Sequence, residues 1–109
     1  MAKRKHVYIS GPMSGLENYN FEAFDNAAKC IRDRGDIAVN PATRGKEWVA
    51  KNGNREMTEG EYRRMIIDGL NDLRSCDRIY LLKGWENSKG AKEELSVALI
   101  NKKEVEVQQ

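Results

Sequence analysis

The sequence predicts a three-layer α/β fold in which helices cover both faces of a small parallel sheet. Short apolar runs typical of strands alternate along the chain with longer segments whose apolar residues recur at helical spacing. Three of the predicted strands run into turns that contain Gly or Pro. Repeated strand–helix alternation favours a parallel sheet with right-handed crossovers. The length of 109 residues is that of one domain.

The first third of the chain predicts a strand–helix–strand unit. The strand His6–Ser10 runs into a loop at 11–15 that is rich in turn-forming residues. Asn20 is then the predicted N-cap of a helix that Gly35 ends. The apolar residues at helical spacing in this helix are Phe21, Phe24, Ala27, Ala28 and Ile31. A second short strand follows at Ile37–Val39 and completes the unit.

The middle of the chain combines a weakly patterned segment with a well-marked helix. Residues 42–57 are polar and contain glycines, so we expect an irregular excursion or lid with at most a short helical turn at 46–50. Thr58 and Glu61, three residues apart, form a predicted capping box. The helix that begins there runs to about Ser75. Its predicted buried residues are Tyr62, Met65, Ile66, Leu70 and Leu73.

The last third of the chain predicts another strand–helix–strand unit. A strand at 77–82 is followed by a helix at 90–102, and 104–107 is a candidate fourth strand. The residues of the last helix that are expected to pack inward are Ala91, Leu95, Ala98 and Leu99. Together these elements fit one flavodoxin- or Rossmann-like domain over residues 1–109. It has four or five parallel strands and a flexible tail at 1–5.

Charge and cysteine content argue against several classes of protein. The 19 Lys and Arg exceed the 17 Asp and Glu by only +2, so no acidic partner is predicted. The short basic cluster at 3–5 is expected to be a solvated tail and not a nucleic-acid site. A metal site is not expected, because Cys30 and Cys76 have no CxxC spacing and His6 is the single histidine. The two thiols are expected to be reduced and half-buried.

The chain also lacks the apolar segments that direct proteins to membranes. No apolar run approaches the roughly 20 residues of a membrane span. The N-terminus has no apolar core of a signal peptide. We therefore expect a protein of the cytoplasm.

The loop at 11–15 is a candidate site for a phosphate or a sugar. Its two glycines let backbone N–H groups approach an anion, and Ser14 adds a hydroxyl. The spacing differs from the GxGxxG of dinucleotide sites. An ordinary strand-to-helix turn has the same composition, so both interpretations stay open.

The segment after the third predicted strand carries the strongest candidate site. Ser88, the backbone N–H groups of Gly90 and Ala91, and Glu94 follow the carboxyl end of that strand, where open α/β sheets bind ligands. Glu94 lies near the edge of the buried stripe of its helix, where a carboxylate is unusual. It is a candidate nucleophile or base. Glutamates in first helical turns are also common, however, because they favour the helix dipole.

Four further side chains are candidates with ordinary structural alternatives. Asp68 lies near the buried edge of the helix before the third strand, and Asp72, one turn later, is an equal choice; either also fits a surface carboxylate. Trp85 could stack on a base or cover the core. Tyr8 lies near the end of the first strand, where its hydroxyl could hydrogen-bond a carboxylate beside the loop.

Three motifs follow one another along the chain. They are Tyr8-Ile9-Ser10-Gly11-Pro12-Met13-Ser14-Gly15, then Cys76-Asp77-Arg78-Ile79, then Gly84-Trp85-Glu86-Asn87-Ser88-Lys89-Gly90-Ala91 with Glu94 and Ala98. In this order they resemble the small phage and bacterial proteins of the DUF4406 family, within the nucleoside 2-deoxyribosyltransferase-like superfamily. The resemblance covers residues 6–107.

This resemblance implies an enzyme that acts on a 2′-deoxynucleoside or its 5′-monophosphate. It would cleave the N-glycosidic bond or transfer the 2-deoxyribosyl group through a covalent glutamyl intermediate. Superfamily nucleophiles stand in a pattern of Glu, three residues and Ala, which Glu94 and Ala98 match. The early tyrosine maps onto Tyr8, which would orient the nucleophile. The family's aspartate maps onto Gly69, and Asp68, one position away, is the implied acid that would protonate the departing base. Trp85 or Trp48 would stack on that base.

The residue six positions before the nucleophile separates two subtypes of the superfamily. Enzymes that act on free nucleosides carry an aspartate there, whereas monophosphate hydrolases carry a serine that binds the 5′-phosphate. Ser88 occupies this position, and Lys83 and Lys89 add positive charge. A nucleotide is therefore favoured, because a carboxylate would repel phosphate. The substrate-binding residues implied are Ser10, Gly11, Pro12, Met13, Ser14, Gly15, Gly84, Trp85, Ser88, Gly90 and Ala91.

The resemblance also implies no metal or organic cofactor, and a homo-oligomer, dimer or larger, in the cytoplasm of a bacterium or of a phage-infected host. Its partner would be a small-molecule nucleoside or nucleotide. The alternatives are a non-catalytic nucleotide-binding module that senses or sequesters its ligand, and a structural domain. The Glu94–Ala98 pattern favours catalysis, because anion binding alone would not place a carboxylate there. A structural domain leaves Ser88 and the glycine loop unexplained.

Overall fold

The computed structural model describes residues 4–13, 15–53 and 55–109, which form one parallel sheet flanked by helices. The strands are β1 His6–Ser10, β2 Ile37–Val39, β3 Arg78–Leu81 and β4 Glu104–Val107. The helices are α1 Phe21–Asp33, α2 Ala42–Asn52, α3 Glu59–Arg74 and α4 Lys89–Ile100. Residues 1–3 of the predicted tail and Ser14 of the predicted loop lie outside the described residues.

The strand order in the sheet is β2-β1-β3-β4, and every neighbouring pair is parallel. The prediction of a small parallel sheet in a Rossmann-like α/β fold is confirmed. The chain leaves β1 for β2 on one side and later returns to place β3 on the other. A topological switch point therefore lies at the carboxyl ends of β1 and β3, where Ser10 and Leu81 are register partners.

Two apolar clusters, one on each face of the sheet, make up the core. On one face Val7 and Ile9 of β1 pack with α1. On the other face Tyr8 packs with Leu73 of α3 and Ala98 of α4. Because successive side chains of a strand point to opposite faces, Tyr8 and Ser10 both face the α3–α4 layer.

Residues 42–52 form a full helix, α2, where the sequence predicts at most a short helical turn. Pro41 precedes it with helical dihedrals (φ −65°, ψ −17°), which proline's fixed φ favours. Gly45 permits α2 to approach α1, since a Cβ there would lie 2.8 Å from a ring atom of Phe21. Gly45, which suggested a break in the helix, is therefore the position at which α2 packs against Phe21.

Asn20 does not act as the predicted side-chain N-cap of α1. Asn18, Tyr19 and Asn20 have positive φ values of 51°, 52° and 62°, and no side-chain capping bond is present at Asn20. Its amide instead donates to the carbonyl oxygen of Pro12 at 2.9 Å. The side chain thus ties the start of α1 to the loop that follows β1.

Three residues predicted to be at least partly buried are exposed instead. Tyr62 is 51% exposed because it lies in the first turn of α3, and Leu99 is 58% exposed in the last turn of α4. Cys30 is exposed and Cys76 is buried, so neither is half-buried, and both are free thiols. The inward face of α4 is held by Ala91 and Ala98, which are fully buried.

An apolar surface remains open at the edge of the sheet. Ile100 at the end of α4 is 78% exposed, and Val105 and Val107 of β4 are 42% and 44% exposed. Such a surface fits the predicted homo-oligomer, which stays a prediction. Among the described residues, no helix is long and apolar enough to cross a membrane.

The capping box at Thr58 is confirmed and yields a stability prediction. Thr58 Oγ1 accepts from the Glu61 N–H at 3.2 Å, and Glu61 Oε1 accepts from the Thr58 N–H at 2.9 Å. Thr58→Ala should lower the free energy of unfolding by about 1 kcal/mol, measured by urea denaturation. Thr43→Ala, at an exposed position within α2, is the control. An equal loss in both variants would contradict the capping role.

Candidate active site

Glu94 of α4 is held by two hydroxyls from β1. Tyr8 Oη donates to Glu94 Oε2 at 2.6 Å, and Ser10 Oγ donates to Oε1 at 2.5 Å. The two donors are two residues apart on one strand and therefore point to the same face. Each carboxylate oxygen thus has its own donor, and the orientation of the group is fixed.

Burial and hydrogen bonding shift the pKa of the Glu94 carboxylate in opposite directions. Desolvation raises the pKa of Glu94 above its ordinary value, and the bonds from Ser10 and Tyr8 lower it in part. Burial, and then the Glu94 charge, raise the pKa of Tyr8 far above its ordinary value. Tyr8 therefore keeps its proton and remains a donor across the physiological pH range.

Gly69 of α3 backs the Tyr8–Glu94 pair. A Cβ at position 69 would lie 2.9 Å from Tyr8 Oη and 3.6 Å from Glu94 Oε2. Any side chain there would push the tyrosine hydroxyl away, so glycine is required for α3 to pack against the pair. Sequence analysis aligned Gly69 with an aspartate of the family and predicted no packing role for it, although a glycine in the middle of a helix is a signal of close packing.

A pocket of about 830 Å³ opens in front of Glu94. Its walls come from the end of β1 and the loop after it, from α2, from the start of α3 and from the amino end of α4. The sequence-predicted residues that line it are Tyr8, Gly11, Pro12, Met13, Gly15, Ser88, Gly90, Ala91 and Glu94. Ser10 lies behind this surface, 1% exposed, and contacts Glu94.

The amino end of α4 presents backbone donors to the pocket. Ser88 is the N-cap, and its hydroxyl accepts from the Ala91 N–H at 3.1 Å. The N–H groups of Lys89 and Gly90 lie in the first turn, which has no intrahelical acceptors. Because the helix dipole adds positive potential there, this end of the pocket is suited to an anion.

The two glycines of the predicted loop, Gly11 and Gly15, each have a structural role that is independent of ligand binding. A Cβ on Gly11 would lie 2.7 Å from Leu82 Cβ, so this glycine lets β1 end against β3. Gly15 has a φ of +78° with open space around it, which is a conformation that favours glycine. Both residues still line the pocket.

Besides Ser10, three sequence-predicted site residues lie away from the pocket surface. Trp85 packs against the core cluster beneath α3 and α4, and Gly84 forms the left-handed turn before it, with φ +89°. Asp68 does not line the pocket. Its carboxylate lies 3.8 Å from Arg44 Nη1, and Asp72, the alternative, accepts from Arg44 Nη2 at 2.7 Å.

Of the wall formed by α2 and α3, sequence analysis predicted only Trp48, as a candidate to stack on a base. This wall brings Arg44, Trp48, Tyr62, Met65 and Ile66 to the pocket. Trp48 stands under the guanidinium of Arg55, 5.0 Å from the ring centroid. Trp48, the single aromatic residue of the 42–57 segment, was the available signal for this wall. The described residues contain no cluster of His, Cys, Asp or Glu that could hold a metal ion.

Comparison with a family model assigns the chain. The model described as a domain of unknown function, DUF4406, matches residues 5–107. The chain belongs to the DUF4406 family. A search of curated protein sequences finds no match for it.

A solved structure shares the fold of this DUF4406 chain. It is the 2-deoxyribosyltransferase of the psychrotolerant bacterium Bacillus psychrosaccharolyticus, with a TM-score of 0.69 and 15% sequence identity. The match covers 94% of this chain and 70% of that one. At this identity the likeness establishes the fold.

The raised pKa of Glu94 predicts a pH-dependent cost to stability. Between the unfolded and the folded pKa the native state binds more protons, so the free energy of unfolding falls as the pH rises through that window. Glu94→Gln removes the charge and retains the shape. It should raise the melting temperature at neutral pH, by an amount that shrinks as the pH falls towards about 4 and vanishes below it.

Thermal melts of wild type, Glu94→Gln and Glu47→Gln across this pH range test the prediction. Glu47 is exposed on α2 and does not line the pocket, so its variant should melt like wild type. If the melting temperatures of Glu94→Gln and wild type differ by the same amount at every pH, the loss of stability does not come from the ionisation of Glu94.

Proposed function

We propose that this DUF4406 chain cleaves the N-glycosidic bond of a 2′-deoxynucleoside 5′-monophosphate, with release of the base. The observation that carries the proposal is the Glu94 carboxylate, oriented by Tyr8 and Ser10 at 2.6 and 2.5 Å and open to the pocket. The structure with the same fold is that of a 2-deoxyribosyltransferase, whose name describes transfer of the same sugar. Either water or a second base would accept the deoxyribosyl group.

Glu94 acts as the nucleophile in this proposal. One carboxylate oxygen attacks C1′ of the sugar as the bond to the base breaks, through an oxocarbenium-like transition state, and a covalent ester forms. The hydroxyls of Tyr8 and Ser10 hold the carboxylate in the orientation required for attack. The acceptor then displaces Glu94 from C1′ and regenerates the carboxylate.

The 5′-phosphate binds at the amino end of α4 in this proposal. The first-turn N–H groups of Lys89 and Gly90, the Ser88 hydroxyl and the Lys89 ammonium group supply donors and positive charge at one end of the pocket. Glu94 follows less than two helical turns later on the same helix. A phosphate anchored at the helix end would bring the sugar towards the carboxylate.

The base binds against the wall formed by α2 and α3. Trp48 and Tyr62 offer aromatic surfaces, and Met65 and Ile66 add apolar ones. Flat heteroaromatic rings stack favourably on such side chains. The pocket therefore has an anion-binding end and an aromatic end, with the candidate nucleophile on its lining.

Base release from the four deoxynucleoside 5′-monophosphates tests the activity. Wild type should release free base from at least one of them, as followed by chromatography. Glu94→Gln should lower kcat by at least about 10³-fold, because loss of a covalent nucleophile removes the main route. Glu47→Gln should retain wild-type rates. Release that persists in Glu94→Gln would contradict the assigned nucleophile, and no release by wild type would contradict the function.

Ser88→Asp tests the phosphate end separately. Aspartate is also a good N-cap, so α4 should remain intact, but its charge would repel the phosphate. We expect KM for the monophosphate to rise by about tenfold or more, roughly 1.4 kcal/mol of repulsion, while kinetics with the free nucleoside change little. Equal changes for both substrates would contradict a phosphate site at Ser88.

A further inference from the structure

Two polar side chains of α2 lie on the face of the helix that lines the pocket. Arg44 and Trp48 are four residues apart, so they are neighbours on the helix surface, and both line the pocket. The other residues of α2 in the lining, Gly45 and Val49, have no polar side-chain atom. Arg44 and Trp48 therefore determine which polar groups of a base α2 can recognise.

Arg44 has N–H groups that its ion pairs do not use. Asp72 accepts from Nε at 3.2 Å and from Nη2 at 2.7 Å, which fixes the plane of the guanidinium. Nη1 lies 3.8 Å from Asp68 Oδ2, beyond hydrogen-bonding distance, and it has no hydrogen-bond acceptor among the described residues. Because the side chain lines the pocket and is 41% exposed, the Nη1 donors are available to a ligand.

Trp48 has an unpaired donor as well. Among the side chains that the structure describes, its Nε1–H is the buried polar group without a hydrogen-bond partner. A buried donor without an acceptor is costly, and a ligand that supplies an acceptor removes this cost. The Arg55 guanidinium covers one face of the indole ring, 5.0 Å from its centroid. A base therefore meets the other face of the ring or the edge that bears Nε1.

The packing of α2 permits the indole edge to move towards a ligand. All residues of α2 are described, and Ala42 in its first turn is the one that is buried. A side chain held by few core contacts can shift at low cost. The Nε1–H of Trp48 can thus reach an acceptor that enters the pocket beside Arg44.

The acceptors at the start of α3 are paired or exposed to water. Thr58 Oγ1 accepts from the Glu61 N–H at 3.2 Å, and Glu59 Oε1 accepts from Arg63 Nη2 at 2.9 Å. Glu56 is exposed. The α2 side of the wall therefore presents hydrogen-bond donors to a base, and the described residues of α2 add no side-chain acceptor to the lining.

We propose that Arg44 and Trp48 select a base with a carbonyl oxygen on the edge far from the sugar, which is a 6-oxopurine or a 4-oxopyrimidine. This inference rests on the proposed function and names its substrate class. With the phosphate at the amino end of α4 and C1′ at Glu94, the far edge of the base meets α2. A carbonyl oxygen accepts N–H groups there, whereas the amino group of adenine or cytosine places a donor against donors.

Two matched pairs of nucleotides test the inference. The 5′-monophosphates of 2′-deoxyinosine and 2′-deoxyadenosine differ by an oxo or amino group at C6 and by the proton on N1. Those of 2′-deoxyuridine and 2′-deoxycytidine differ in the same way at C4 and N3. Base release is followed by chromatography, and the ratio of kcat/KM for the oxo base to that for the amino base is determined in each pair. Wild type should give a ratio of about 30 or more in the pair that it cleaves.

Two variants assign the preference to its donors. Arg44→Met keeps a long side chain and removes the guanidinium, so it should lower the ratio by about tenfold or more, because hydrogen bonds to charged groups are the stronger ones. Trp48→Phe keeps the aromatic surface and removes the Nε1–H, so it should lower the ratio by about two- to tenfold. A general disturbance of the pocket, such as the loss of the Arg44–Asp72 pair, affects both nucleotides of a pair and cancels in the ratio.

Arg74→Met is the matched control. Arg74 is an exposed residue of α3 that bonds to Asn71 and does not line the pocket. Its variant should keep the wild-type ratio in both pairs.

The outcomes separate this inference from the function on which it rests. A wild-type ratio near one, or a ratio that Arg44→Met and Trp48→Phe both leave unchanged, would overturn the inference. If base release then still depends on Glu94, the glycosidase function remains intact. No release from any of the four nucleotides would overturn both. A ratio that falls in both variants and not in Arg74→Met, with release lost in Glu94→Gln, would support both.

Discussion

The site depends on the presence of a charged carboxylate in a partly buried position. An ionised group away from water is costly unless hydrogen bonds replace its hydration. Tyr8 and Ser10 supply these bonds to the two oxygens of Glu94. This requirement fixes the face of β1 that meets α4, and it explains why α3 approaches through Gly69, where any side chain would displace the tyrosine hydroxyl.

The pocket around this carboxylate follows from the topology of the sheet. The switch point between β1 and β3 leaves a crevice at their carboxyl ends, and the amino end of α4 enters it with free backbone donors. The crevice would be open on one side without α2 and the start of α3, which add Trp48 and Tyr62 as walls. The packing of α2, α3 and α4 around this crevice thus produces both the anion-binding end of the pocket and its aromatic wall.

Much of this could be predicted from the sequence, because local patterns determined it. The alternation in β1, the capping box of α3 and the Glu94–Ala98 spacing each depend on residues close together in the chain. The helix α2 was missed because its packing glycine, Gly45, resembles a helix breaker until Phe21 is placed beside it. The roles of Gly69 and Arg44 depend on contacts between distant segments, which periodicity does not encode. The Ser10–Glu94 bond was also missed, although the period of two along β1 places Ser10 beside Tyr8.

The most direct measurement is peptide mapping by mass spectrometry of the protein quenched during turnover of a deoxynucleoside 5′-monophosphate. If Glu94 attacks C1′, the mass of a deoxyribosyl phosphate should appear on the peptide that contains Glu94, and it should be absent from Glu94→Gln. Turnover with no adduct on that peptide, or an adduct on another residue, would contradict the role given to the carboxylate held by Tyr8 and Ser10.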